Sequence, residues 1–190
     1  MTETKGNSKD KLIETASRLF QLQGYHGTGL NQITKESGAP KGSLYYHFPN
    51  GKEQLAVESV ELTASRVSGH IKDGLAESTD AVTAIQSFLE MMAERFEKEG
   101  SKGGVPIAAI ALETSLTSEP LRIACQTAYA TYQDLFEQKL IGSGFEASRA
   151  KELGIVINSM VEGAFLLSFT MGNSLPLRMA AKQIPVLLYK

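Results

Sequence analysis

Residues 41–52 read KGSLYYHFPNGK and bring together two lysines, a serine hydroxyl, two phenols and an imidazole. These are hydrogen-bond donors and cations, the groups that bind phosphate oxygens and the edges of bases. Four rings stand in a row, from Tyr45 to Phe48, and Trp is absent throughout. A core helix spaces its large residues by three or four positions, so some of these rings must face water or a partner. Across residues 26–52 the lysines Lys35, Lys41 and Lys52 stand against Glu36, with His26 and His47 besides. A local positive patch of this kind is compatible with phosphate binding even on a chain of net charge −2.

Other chemistry finds little support. A single cysteine, Cys125, allows no internal disulfide and no Cys/His zinc cluster, so no metal site is expected. Cys125 shares a helical face with Leu121, Ala128 and Tyr132, which marks it as a small buried residue. The run GSKGG lacks the phosphate-loop pattern and follows a helix, not a strand. No Ser/His/Asp set or paired carboxylates stand out; no catalytic residue and no cofactor are expected, and the chain is not read as an enzyme. His26 and His70 have no partner at ligand spacing and are read as surface residues, as are Lys35 and Glu36. The N-terminus MTETKGNSKDK has no apolar core, and no apolar run approaches a membrane span, so a cytoplasmic protein without membrane attachment is expected.

The elements that must position these residues are helical. With 42% apolar and 21% charged residues the chain is of ordinary globular composition. Its apolar spacing predicts an all-α fold of about nine helices with no confident strand. A first helix opens near Ser8 and stops at Gly24. Thr28 is placed to cap a second, 29–37, with Leu30 and Ile33 inward and Gly38 as its end. Pro40 suits the first turn of a third, which runs to about His47 before the breaker PNG at 49–51. A long helix follows over about 52–77, then others from Asp80, over 106–115, from Ser118, over about 146–171 and over 174–189, with GSKGGVP at 100–106 as a loop. Pro185 is expected to kink or stop the last helix. Helices are short before about residue 50 and long after it. That shift divides the chain into a module at 1–52, its first residues disordered, and a body at 53–190 joined to it by the long helix.

Two short helices around the turn SGAP at 37–40 form a helix-turn-helix pattern. The second helix of such a unit enters the DNA major groove, its first residues at base edges and its neighbours on phosphate. Here those first residues are Lys41, Gly42 and Ser43: long reach, close approach and a hydrogen bond. Leu44 is the inward anchor. Carried by Gly24-Tyr25, Thr28, Leu30, Ile33, Gly38, Lys41 to Phe48, Lys52 and Leu55, the stretch over about 8–57 resembles the TetR/AcrR family of bacterial transcriptional regulators. APKGSLYYHFPNGKEQL is similar to the LmrA/YxaF-like subgroup. The resemblance implies that Thr28, Tyr45, Tyr46, His47 and Lys52 meet the DNA backbone, Tyr45, Tyr46 and His47 at phosphate or a thymine methyl. Packing of Tyr46 and a structural hydrogen bond for His47 remain open beside these roles. Phe48, without a polar tip, should turn inward. One departure is Pro40, where the family usually carries a Ser or Thr cap.

For the body the resemblance implies two tasks: homodimerisation through the last two helices, and binding of a small effector. A planar aromatic compound, flavonoid or drug-like, is what the subgroup implies. The run 155–171 is too apolar for a one-sided helix, and the segment 174–189 also needs a partner. A two-fold interface would set two recognition helices on a palindromic operator. Asn158 and Glu162, four apart, would bond each other, cross that interface or line a cavity. Phe88, Met92 and Phe96 on one helix, and Tyr129 and Tyr132 on another, are candidate effector contacts, with ordinary core as the alternative for each. The expectation is a ligand-responsive repressor; the alternative is a helical ligand- or redox-sensing protein without operator binding.

Overall fold

The computed structural model describes residues 7–99 and 106–189; the expectations for the first residues and for most of the 100–106 loop lie outside the described residues. Among the described residues there are nine helices and no strand: α1 (Ser8–Gly27), α2 (Leu30–Ser37), α3 (Lys41–His47), α4 (Gly51–Ala76), α5 (Ala81–Glu99), α6 (Ala108–Thr114), α7 (Glu119–Gly142), α8 (Ala147–Met171) and α9 (Leu175–Leu187). They form two compact units, residues 1–65 with 106–128, and residues 66–105 with 129–190.

In the first unit, α1 starts behind Asn7, whose side chain accepts from the Lys9 N–H. Regular helix breaks at Gly24, which takes φ 74° and ψ 175°, a backbone state that side chains resist. The Thr28 capping expectation fails: Gly29 occupies the N-cap of α2, and the Thr28 hydroxyl donates back to the Gly24 carbonyl at 2.8 Å. The reason is proximity, since the break at Gly24 leaves that carbonyl in reach of a buried hydroxyl with no solvent to satisfy it. Gly38 ends α2 in the left-handed region, as its residue type requires. Pro40 stands one position earlier than expected, as the N-cap of α3 with extended ψ of 139° and no side-chain cap.

The core of this unit is apolar and closed. Leu12, Ala16, Leu19 and Phe20 of α1 are buried, as are Ile33, Leu44, Phe48 and Leu55. A polar pin crosses it. Ser17 and Thr63 hydroxyls meet at 2.8 Å, and the Gln21 amide donates to both. α6, remote in sequence, packs on α1.

In the second unit, α9 packs against α5 and α8. Ile85 and Leu89, Phe136 and Leu140, Leu153 and Ile157, and Leu177, Ala181 and Ile184 form its interior. Pro185 does not stop the helix at once; α9 continues to Leu187. The proline lies so near the end that only one ladder hydrogen bond is forfeited. α8 differs from expectation in two ways. One face alone is buried, through Leu153, Ile157, Val161, Ala164 and Ser168, while Ile155, Val156, Leu166, Leu167 and Met171 are exposed. The helix is also long and apolar enough to cross a membrane by length and composition, contrary to the reading that no such run exists. That reading missed it because Ser, Gly, Asn and Ala break up the Leu/Ile/Val runs without adding charge.

The rings of residues 45–48 have opposite fates, and stability separates them. Phe48→Ala is expected to lower the unfolding free energy by about 3–5 kcal/mol, and Tyr46→Ala by less than about 0.5 kcal/mol. Urea titration of the two variants checks the contrast.

Candidate nucleic-acid interface

α3 has two faces with opposite tasks. Leu44 and the cap residue Phe48 are 1% and 0% exposed and hold the helix down. Tyr45 and Tyr46, between them in sequence, are 67% and 81% exposed. Tyr46, whose packing the sequence left open, is therefore largely exposed, with its ring against His47 alone among the ring contacts. Lys41 and Gly42 at the start of α3 are also exposed, and Ser43 is half-buried. A side chain at Gly42 would meet nothing, so its outer surface is open to a large partner. The result is an exposed edge of ammonium, backbone, hydroxyl and phenol groups, which are donors able to hydrogen-bond phosphate oxygens.

His47 is drawn partly inward. Its Nε2 lies 3.1 Å from the Ser8 hydroxyl, a link from the end of α3 to the start of α1, and its ring meets Tyr46 and Phe48 edge-on. The structural hydrogen bond is present. Thr28 is fully buried, its hydroxyl already used, so its contribution is to the shape of the α1–α2 turn. Lys52, in the first turn of α4, sets its ammonium 4.4 Å over the Tyr25 ring. Burial pulls its pKa down, opposed by the nearby Glu113 carboxylate. The charge is thus held in place on an aromatic platform while half-exposed. Sequence reasoning singled out Lys52 but missed Tyr25 beneath it, because their positions are far apart and no local spacing marks the pair. Lys9 was missed in the same way: its ammonium lies 5.8 Å over Phe48 and pairs with Glu58 at 2.8 Å. His26, His70 and Lys35 are exposed. Glu36 engages Arg18 and Gln32 at the surface.

The residues proposed for an effector differ in burial. Phe88, Phe96, Tyr132 and Asn158 are buried, whereas Met92, Tyr129 and Glu162 are half-buried. Phe88 packs on Phe136, Phe96 on Phe165, and Tyr129 on Tyr132. Phe96 alone of this set lines a cleft of about 530 Å³ shared with Glu97, residues 172–175 and Arg178. Glu162 bonds Tyr129, and burial pushes its carboxyl up to about 7. Burial likewise pushes the Cys125 thiol up to about 11, which keeps it protonated and unreactive near neutral pH.

A buried helix-turn-helix core carrying an exposed polar edge defines a DNA-binding regulator of helix-turn-helix type. The model for bacterial regulatory proteins of the tetR family matches residues 12–58, and the model for the C-terminal domain of LmrA/YxaF-like transcriptional regulators matches residues 81–183. The uncharacterised HTH-type transcriptional regulator YxaF of Bacillus subtilis (strain 168) is 50% identical over 187 residues, 98% of each chain. The HTH-type transcriptional regulator LmrA of the same organism is 51% identical over 183 residues, 96% of this chain and 97% of its own. Among solved structures, reduced Escherichia coli NemR superposes with a TM-score of 0.83 at 22% identity, over 93% of this chain and 94% of its own, a likeness of fold. The chain belongs to the TetR family of transcriptional regulators, with an LmrA/YxaF-like C-terminal domain.

Glu162 makes stability depend on pH. Its folded-state pKa lies above the ordinary carboxylate value, so folding favours the protonated form. The stabilising contribution is complete below about pH 4.5 and is lost as pH rises through about 7. Glu162→Gln is expected to remove that slope, so urea midpoints of the two proteins should diverge across this window, the variant being the more stable at its upper end.

Proposed function

We propose that this protein is a homodimeric, ligand-responsive repressor that grips a palindromic operator through α2–α3 and leaves it when a small aromatic effector binds the C-terminal body. The observation that carries the DNA part is the exposed edge of Lys41, Ser43, Tyr45 and Tyr46 above a buried Leu44 and Phe48. In this reading the module at 1–52 reads DNA and the body at 53–190 dimerises and senses. Lys41, Gly42 and Ser43 face base edges, because they open α3 and are the residues nearest the groove floor. Tyr45, Tyr46 and Lys52 meet phosphate. Thr28 and His47 serve the grip by holding the α1–α2 turn and the end of α3, with backbone N–H groups at the start of α2 available to a phosphate.

Two of these exposed edges need a spacing, and the apolar outer faces of α8 and α9 supply a reason to pair. Ile155, Val156, Leu166 and Leu167 on α8, with Leu175 and Met179 on α9, leave more oily surface than a lone chain keeps exposed. A two-fold contact would cover them and set two copies of α3 about 34 Å apart, one turn of DNA. The aromatic effector is supported by the Phe, Tyr and Met side chains of α5 and α7, with Glu162 and Asn158 as polar anchors. Release requires only that the effector favour a head spacing that no longer matches the operator. Regulation, not catalysis, is the role throughout.

Fluorescence anisotropy with duplex DNA from beside the protein's own gene tests the reading. Salt-dependent, sequence-selective binding is expected; its absence would overturn operator recognition. Tyr45→Ala and Lys52→Ala should weaken binding to all sequences alike, whereas Lys41→Ala and Ser43→Ala should change the preference among them. Sedimentation of Leu167→Glu should show a monomer where the parent is a dimer.

A further inference from the structure

The turn between α1 and α2 is held by a residue that follows it by a long stretch of chain. The Glu113 carboxylate, on α6, accepts from the backbone N–H of His26 at 2.7 Å. It lies against Gly24 so closely that a Cβ there would overlap it. Gly24 is required by its positive φ, and any side chain there would also push the Glu113 carboxylate off its place. The same turn is stitched locally by Thr28, whose N–H reaches the Tyr25 carbonyl at 3.3 Å and whose hydroxyl reaches Gly24. Tyr25, inside the turn, carries the Lys52 ammonium on its ring, and Glu113 is the carboxylate whose charge acts on that ammonium. A second tie lies beside the first: the Ser118 hydroxyl donates to Glu53 at 2.7 Å, joining the segment after α6 to the first turn of α4.

We infer that Glu113 is a positioning residue for DNA reading: its grip on the His26 N–H sets the angle at which α2 and α3 leave α1. The inference rests on the proposed role of α3. The His26 N–H is one of the orphan backbone donors where the helix breaks, and a carboxylate is the strongest acceptor a side chain offers it. Without that acceptor the turn keeps its local stitches and its apolar packing but loses this hydrogen bond to α6.

Affinity for an operator duplex and for a scrambled duplex separates the outcomes, measured on the full chain. Wild type must first prefer the operator; if it does not, the DNA reading fails and not the positioning role. Glu113→Gln keeps an acceptor without the charge and should stay within about threefold of wild type. Glu113→Ala should lose about tenfold for the operator, as expected for one charge-assisted hydrogen bond, with little change for scrambled DNA. The His26 amide resonance should move in the Ala variant and stay near its place in the Gln variant. Operator affinity equal to wild type in Glu113→Ala, or a tenfold loss in a folded Glu113→Gln, would overturn the inference. Should the Ala variant not fold, the Gln variant decides alone, by near-native affinity for the role and by its loss against it.

Discussion

The burial of Leu44 and Phe48 is the constraint on which the DNA-facing half of this protein depends. α3 is seven residues long, too short to persist alone, and it has no side-chain cap. Only packing can hold it. With Leu44 and Phe48 at zero or near-zero exposure, the intervening tyrosines are driven to the other side of the helix by its period alone. The reading edge is thus a by-product of the anchor. Lys9 lying over the Phe48 ring and Ser8 bonded to His47 close the same corner from α1.

Around that anchor, polar contacts fix angles that apolar packing leaves loose. Hydrophobic burial is strong but non-directional, whereas the hydrogen bonds of the Ser17–Thr63–Gln21 cluster and the Glu113–His26 bond are directional and restrict how the helices they join can sit. A DNA reader needs that directionality, because a recognition helix tilted by a few degrees loses its base-edge geometry while its phosphate contacts survive. The second unit shows the opposite balance. Its interior is largely apolar; among the described residues Asn158 and Ser168 are buried on α8 and Ser174 just before α9, and half-buried Glu162 is bonded to Tyr129.

Much of the fold was legible in the residues. Gly24, Gly38 and the PNG breaker mark the ends of α1, α2 and α3, because positive φ and missing donors act locally. Ile33 was placed inside by helical spacing, Leu44 by lying on the face opposite the reading edge, and Phe48 by its lack of a polar tip. Other features were not legible. Thr28 has the right type and position to cap α2, yet its hydroxyl goes to Gly24 because the kink brings that carbonyl closer. Tyr46 was ambiguous because, in a row of four rings, which of them face inward depends on how the neighbouring helices are placed. The aromatic residues of α5 and α7 could be a pocket wall or ordinary core by type, and the burial of Phe88 and Tyr132 is compatible with either.

What the sequence determined by itself is local: helix period, helix ends, an all-α architecture, and a spacing of Lys, Ser, Tyr and Phe specific enough to mark a TetR-family reading head. These follow from backbone preferences and side-chain types within a few positions of one another. What only the tertiary structure decided is which distant groups meet: Lys52 over Tyr25, Ser8 on His47, and Glu113 beneath the turn at Gly24. Such contacts join residues with no shared period, so no pattern along the chain records them; they exist because packing the apolar faces brings the helices, and with them these polar side chains, to one place.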